Sequence, residues 1–332
     1  MKILIVEHSI IPVHFYGGTQ RVIWSLGKEL TKLGHQVTFL AKQGSTCEFA
    51  DVIFLDDHIN ILDQIPKDID VVHFNFVPDN INEMNKPYII TMHGNTNDKL
   101  TFNKNTVFVS ENHASRYNST SFVHNGLDWS DYSKPNFNKQ RDAFHFLGKA
   151  SWGVKNLTGA IEIIRKTKNE RLTVLGGKKF SERVIKANPL SLFSSRIRFK
   201  GMVGGKEKGK YLNTSKGLIF PVLWHEPFGL AIIESLFYGC PIFGTPYGSL
   251  KELINKDVGY LSTKKSELVE SLKYADDFDK KICHEYALEN FNSKKMTLEY
   301  LNKYHEVLNG HPLNQMEPQL INIQKEKYLA FD

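Results

Sequence analysis

His225-Glu226-Pro227-Phe228-Gly229-Leu230-Ala231-Ile232-Ile233-Glu234-Ser235 sets two carboxylates eight positions apart across a junction that reads as strand, loop and helix. The apolar run Gly217-Leu218-Ile219-Phe220-Pro221 before it has the length of a buried strand and ends at proline. The segment Gly229 to Tyr238 has helical apolar spacing and stops at Gly239. Glu226 therefore falls in the loop and Glu234 in the helix. A loop entering a helix offers backbone N–H groups and the positive end of the dipole, so Phe228, Gly229 and Leu230 suit a diphosphate. Gly229 permits close approach of an anion. A carboxylate accepts hydrogen bonds without donating them, which matches Glu234 to the paired hydroxyls of a ribose and Glu226 to a neighbouring hydroxylated group. On spacing alone, two solvated glutamates and a plain glycine turn remain open.

Outward from this stretch, apolar runs of strand length alternate with helical patterns along the whole chain, the signature of βα units around a parallel sheet. The first series of expected strands is Lys2–Glu7, Gln36–Leu40, Val52–Leu55, Val71–Phe76, Tyr88–Met92, Thr106–Val109 and Phe122–His124. The second is Ala143–Leu147, Arg171–Leu175, Ile197–Lys200, Gly217–Pro221, Pro241–Phe243 and Gly259–Leu261. The polar stretch from Asp131 to Asp142 holds one proline and reads as a linker, which sets the expected domains at 1–140 and 141–310 with a tail at 311–332. Two doubly wound domains carry their ligand crevices at the carboxyl ends of the strands, so facing domains would share a cleft. A last helix near Ser293–Leu308 presents Met296, Tyr300, Leu301 and Tyr304 at helical spacing.

The 332 residues, 41% of them hydrophobic and 23% charged, are enough for two ordinary globular cores. No run approaches the length of a membrane span, and the N-terminus enters a strand without a signal-peptide pattern, so a cytoplasmic protein is expected. Cys47, Cys240 and Cys283 lack the paired spacing of a zinc site or disulfide framework and read as free thiols. The net charge of +6 divides into −3 over residues 1–142 and +9 over the rest, so the second half suits an anionic ligand. Lys200, Lys206, Lys208 and Lys210 form a basic run. It reads first as a solvated face, leaves peripheral contact with an anionic membrane open, and lacks the interleaved aromatic residues of a nucleic-acid site. Asp68-Ile69-Asp70 has the spacing of a magnesium motif but precedes its strand, where a turn role is expected; no metal is assigned.

The E-x7-E run resembles that of the retaining glycosyltransferases of family 4, the group 1 transferases with the two-domain GT-B fold. The similarity extends through Gly17-Gly18-Thr19-Gln20-Arg21-Val22, Thr91-Met92-His93-Gly94, Val123-His124-Asn125-Gly126-Leu127-Asp128, and Phe146-Leu147-Gly148-Lys149 with Lys155. Segments in this order are far more specific than any alone. The resemblance implies an α/β chain of two Rossmann-like domains facing across a cleft, the first binding acceptor and the second the nucleotide sugar. It implies catalysis by Glu226, His93 and Lys155, and donor binding by Gly17, Gly18, Lys149, Lys155, Phe228, Gly229, Leu230 and Glu234. His93 would contact the donor sugar, Glu226 would position it through its hydroxyls, and the last helix would cross back onto the first domain. Lys149 stands where the family commonly has arginine, which keeps the charge but loses the bidentate fork, and its spacing to Lys155 is one residue longer than expected.

The expected reaction moves a hexose from a uridine or guanosine diphosphate sugar to a glycan, lipid-linked or small-molecule acceptor, with configuration retained and without metal or further cofactor. Lys149, Lys155 and helix N-termini would then stabilise the leaving diphosphate. Other readings are a non-catalytic binder of nucleotide sugars or glycans, and a sugar-nucleotide epimerase. A nicotinamide-dependent oxidoreductase is disfavoured because Glu7-His8-Ser9-Ile10 after the first strand lacks the G-x-G-x-x-G loop. Ile10 to Tyr16 are the expected acceptor-facing loop. Acceptor identity and oligomeric state have no signature in the sequence.

Overall fold

The computed structural model describes residues 1–13, 17–177 and 194–332. The chain divides into two compact units. The first takes Met1–Val13, Gly17–Trp129 and Phe291–Gln324; the second takes the described residues of Ser130–Asn290 together with Lys325–Asp332. The division at Trp129 lies before the polar stretch read as a linker. The last helix belongs to the first unit, and the tail is shared between the two.

The first unit is built on a parallel sheet of β1 (Lys2–Glu7), β2 (Gln36–Lys42), β3 (Asp51–Leu55), β4 (Val71–Phe74), β5 (Tyr88–Met92) and β6 (Thr106–Phe108). Their order across the sheet is β3-β2-β1-β4-β5-β6. Helices α1 (Gly18–Lys32) and α2 (Glu111–Arg116) complete the N-terminal part. The expected strand Phe122–His124 is reduced to a single bridge, Phe108 to Phe122, because the chain leaves the sheet edge at once to pack Gly126 and Leu127 against the last helix. The other expected strands of this unit are present with ends shifted by a residue or two.

The second unit repeats the plan with β7 (Ala143–Leu147), β8 (Leu172–Leu175), β9 (Ile197–Phe199), β10 (Ser215–Phe220), β11 (Ile242–Gly244) and β12 (Gly259–Leu261), ordered β12-β11-β10-β7-β8-β9 and wholly parallel. Its helices are α3 (Leu157–Lys166), α4 (Gly205–Leu212), α5 (Leu230–Phe237), α6 (Leu250–Leu253), α7 (Lys265–Ser271) and α8 (Lys280–Asn290). The core on one face of this sheet gathers Phe144, Phe146, Val174, Ile219 and Phe243 under Ile161 and Ile164 of α3. Each such side chain contributes about 1.5–3 kcal/mol relative to exposure. In both units the order of strands reverses beside the first strand of the series, the place where ligand crevices form in such sheets.

Helix α9 (Ser293–Leu308), capped by Asn292 whose side chain accepts from the Lys295 N–H at 2.8 Å, packs onto the first unit. Its apolar stripe includes Met296, Tyr300 and Tyr304, all buried. Two of them carry polar tips into a network around a buried histidine of β4, Tyr304 directly and Tyr300 through Thr91. His73 meets the Tyr304 hydroxyl through Nδ1 at 2.8 Å and Thr91 through Nε2 at 2.7 Å, and Thr91 meets the Tyr300 hydroxyl at 3.0 Å. The second unit has a counterpart in His145 of β7, held between Ser215 at 2.6 Å and Ser235 at 2.8 Å. The Ser235 hydroxyl donates to the Ala231 carbonyl at 2.6 Å, so it receives a proton from His145 Nε2.

Burial pushes the pKa of both histidines down to about 3. In the unfolded chain the ordinary value is about 6.5. Acidification below that value therefore protonates the unfolded chain while the folded rings stay neutral, and stability falls between about pH 6.5 and 3. The melting temperature is expected to drop progressively as pH falls through this window. A His145→Gln variant, if folded, is expected to show a shallower drop; parallel profiles for variant and wild type would rule out this origin of the pH dependence.

Candidate active site

The loop between β10 and α5 holds Glu226 with 5% of its surface exposed. A carboxylate removed from water to this degree needs compensation, and two neighbours provide it. Lys155, from the loop after β7, places Nζ 2.7 Å from one carboxylate oxygen and 2.6 Å from the other. Trp224 donates its indole N–H to the second oxygen at 2.7 Å. The lysine ammonium also lies over the Phe220 and Trp224 rings, 5.3 and 5.2 Å from their centroids. The expected pair Lys155 and Glu226 is thus brought into direct contact. An ammonium carries three donors, and this one directs two at Glu226.

Local backbone geometry makes the arrangement possible. Asn156, in a left-handed conformation (φ 53°), ends the lysine loop and caps α3 by accepting from the Gly159 N–H at 3.0 Å. Gly229 takes φ 87° at the turn into α5. On the other side, Gly248 packs against the backbone of Glu226 so closely that a Cβ there would lie 2.2 Å from its nitrogen. Ser249 closes this contact, donating its N–H to the Glu226 carbonyl at 2.9 Å and its hydroxyl to the Phe228 carbonyl at 2.7 Å. Leu230 opens α5 directly after the turn, and Phe228 is buried beneath it.

Glu234, about one turn into α5, is 2% exposed. Its Oε1 accepts from the Tyr132 hydroxyl at 2.9 Å and pairs with the Lys208 ammonium, which also lies over the Tyr132 ring at 5.5 Å. Sequence reasoning missed this cluster. Lys208 belonged to a run expected to be a solvated face, yet it is 5% exposed on α4 and turned inward. The available signal was weak: within the α4 segment, Lys208 lies four residues before the buried Leu212, on the helix face that packs inward.

Lys149 stays exposed and stacks its ammonium over Trp152 at 5.1 Å, and the structure places no carboxylate of the pair above beside it. In the first unit, Gly17 precedes α1 where a Cβ would come within 2.7 Å of Val13 and Gln20, and Gly18 opens the helix. Gln20 donates to the Ser9 hydroxyl at 2.6 Å, and Ser9 in turn bonds Glu7. Of the expected acceptor-facing residues, His14, Phe15 and Tyr16 lie outside the described residues. His93 follows β5, and its Nε2 lies 2.9 Å from Asn75 Oδ1. Because the Asn75 amide donates to the Val6 carbonyl at 3.2 Å, its oxygen receives a proton from His93 Nε2. Burial lowers the His93 pKa to about 4, so the ring is neutral near pH 7 and presents Nδ1 as an acceptor. The Asn125-Gly126 segment packs on α9, with the Gly126 N–H 3.0 Å from the Met296 sulfur. Asp68 and Asp70 both bond Lys2, through its ammonium and its backbone N–H, which matches a turn role.

Residues 129–279 match the family model of glycosyl transferases, group 1. A probable sucrose-phosphate synthase of Thermosipho melanesiensis is 30% identical over 112 residues, which is 32% of this chain but 26% of that relative's length. Among solved structures, AviGT4, a glycosyltransferase involved in avilamycin A biosynthesis, superposes with a TM-score of 0.76 at 20% identity, covering 93% of this chain and 98% of its own. The sucrose-phosphate synthase of Thermosynechococcus elongatus gives 0.73 at 15% identity, covering 93% and 99%. The fold is therefore the GT-B fold, with two parallel six-stranded sheets. Among the described residues, no helix is long and apolar enough to cross a membrane.

The Lys208 and Glu234 pair yields a stability test. Removing one partner of a buried pair leaves an uncompensated charge and costs about 3–5 kcal/mol, whereas replacing both by apolar side chains can be nearly neutral. Lys208→Met is expected to lower unfolding free energy in urea by roughly that amount. Lys208→Met combined with Glu234→Leu is expected to recover most of the loss. Additive losses in the double variant would mean that the two side chains do not act as a pair.

Proposed function

We propose that the protein is a retaining glycosyltransferase that moves a hexose from a uridine or guanosine diphosphate sugar to a glycan, lipid-linked or small-molecule acceptor, without a metal ion. The observation that carries the reading is the Glu226 carboxylate, buried at the end of β10 and braced by Lys155 and Trp224. Two fold relatives support a nucleoside diphosphate site: HepE of Anabaena was solved in complex with UDP-glucose, with a TM-score of 0.66, and the catalytic domain of starch synthase IV of Arabidopsis thaliana with ADP and acarbose, with a TM-score of 0.70; the first carries a uridine donor.

In this reading the bond between the anomeric carbon and the diphosphate oxygen breaks, and that oxygen takes the proton of the acceptor hydroxyl as the new glycosidic bond forms on the same face. Glu226 accepts hydrogen bonds from the sugar hydroxyls and favours the cationic character that develops at the ring. A carboxylate held by an ammonium through both oxygens is a poor nucleophile, which fits a positioning role better than a covalent one. The remaining donor of Lys155, the ammonium of Lys149 and the turn from Phe228 to Leu230 take the growing charge of the diphosphate. Glu234 receives the ribose hydroxyls, with Tyr132 and Lys208 fixing its orientation. His93, neutral at pH 7, accepts a hydrogen bond from the sugar and does not act as a general base. The first unit binds the acceptor.

A thermal-shift screen with uridine, guanosine, adenosine and thymidine diphosphates and their sugar conjugates, with and without chelator, is expected to show stabilisation by one base that survives the chelator. Glu226→Ala is expected to reduce kcat by about 100-fold or more, in the range seen when a transition-state contact is removed, with the fold intact. Glu234→Ala is expected chiefly to weaken nucleoside diphosphate binding, by about 1–3 kcal/mol. An unchanged rate in the first or unchanged affinity in the second removes the role assigned to that residue.

A further inference from the structure

The segment after Gln324 belongs to the second unit, although the residues immediately before it belong to the first. It lies along the loops that hold Glu226. The Leu329 N–H donates to the Leu223 carbonyl at 2.8 Å, one residue before the indole that bonds the carboxylate. The Tyr247 hydroxyl donates to the Ala330 carbonyl at 2.7 Å, one residue before Gly248, which packs on the Glu226 backbone. Tyr328 lines a cavity of about 130 Å³ together with Trp152, Gly153, Asn156 and Leu223, which places it across that cavity from the lysine loop. Leu223 is itself tied to that loop by its N–H to the Val154 carbonyl at 2.8 Å. Beyond these contacts the segment is anchored. Phe331 packs against the sheet core, the Lys265 ammonium lies over its ring at 5.5 Å, and Asp332 exchanges backbone hydrogen bonds with Thr263 and Lys265.

We infer that residues 325–332 are a positioning strap for Glu226: anchored at Phe331 and Asp332, they fix the relative placement of the Lys155, Trp224 and Gly248 loops and thereby the direction of the carboxylate. This inference rests on the role proposed above for Glu226. The strap acts on the carboxylate through these loops. The cluster of Glu234, Lys208 and Tyr132 is assembled elsewhere, from α4, α5 and the segment before β7. Its loss should therefore separate the two halves of donor recognition. The hold on the sugar loosens while the hold on the nucleoside diphosphate persists.

The test compares wild type with a chain ending at Gln324, with Tyr247→Phe and with Leu329→Pro. UDP, UDP-glucose, GDP and GDP-mannose are titrated by calorimetry, and turnover and melting temperature are measured on the same preparations. For the pair that binds wild type, the expected result is a nucleoside diphosphate affinity within about twofold of wild type in every variant. The extra affinity contributed by the sugar is expected to vanish in the shortened chain, with kcat lower by about 10–100-fold, the cost of a misplaced catalytic contact. The single substitutions are expected to fall between. Should the shortened chain fail to fold, the single substitutions decide. Full retention of the sugar increment and kcat overturns the strap while leaving the donor reading standing. Equal loss of nucleotide and sugar affinity, in step with melting temperature, also overturns it and indicates a merely structural segment. If wild type binds neither pair, the donor reading itself fails and the strap falls with it.

Discussion

Taking the Glu226 carboxylate out of water is the constraint around which the second unit is arranged. An unpaired carboxylate at that depth would lose several kcal/mol of hydration, and the surrounding loops exist in the conformations that prevent this loss. The left-handed Asn156 brings the lysine loop back to the helix it caps, Trp224 turns its N–H inward, and Gly248 allows another backbone to close against the glutamate. A parallel sheet contributes the geometry, because β7, β10 and β11 all release their following loops at the same edge. Charge compensation and strand direction together concentrate polar chemistry in one place on an otherwise apolar scaffold.

The same logic appears twice more, in gentler form. Each sheet carries a histidine on a central strand, His73 on β4 and His145 on β7, and each ring satisfies both nitrogens with hydroxyl groups. Such groups add little to net stability, since their hydrogen bonds replace those to water. They do fix which helix faces can pack against the sheet: α9 is matched to His73 through Tyr304, and α5 to His145 through Ser235. A helix rotated by one residue would leave one nitrogen of a buried imidazole without its partner.

Much of this was legible in the sequence because it depends on short-range pattern. Alternating apolar runs located almost every strand, loop and helix chemistry singled out Glu226, Gly229 and Glu234, and the family resemblance pointed to Lys155. Long-range pairing was not legible. Little beyond its spacing to Leu212 distinguishes Lys208 from the exposed lysines around it, since its inward turn depends on Tyr132 and Glu234 arriving from distant parts of the chain. Phe122–His124 has a strand's composition and does pair with the sheet edge, Val123 N–H to the Phe108 carbonyl, but only for one bridge before the chain turns away to bond beside α9 at Gly126 and Leu127. The polar stretch from Asp131 to Asp142 looked like a linker because it is hydrophilic. Its Tyr132, Ser133 and Arg141 are nevertheless bonded within the second unit, Arg141 to the carbonyls of Ser215, Tyr238 and Gly239. Composition reports solvent affinity and not where the contacts of a polar side chain will be made.

The late position of α9 has a consequence for how the chain acquires its structure in time. The strands of the first sheet have all been synthesised by Phe108, yet the helix that shields His73 begins only at Ser293. A growing chain must hold that sheet with the part of one face beside α1 uncovered while the whole second unit emerges, an interval of roughly ten seconds or more at ordinary elongation rates. The nascent protein is thus exposed to association and to chaperone capture through its first half, and it leaves that hazard only when Tyr300 and Tyr304 dock.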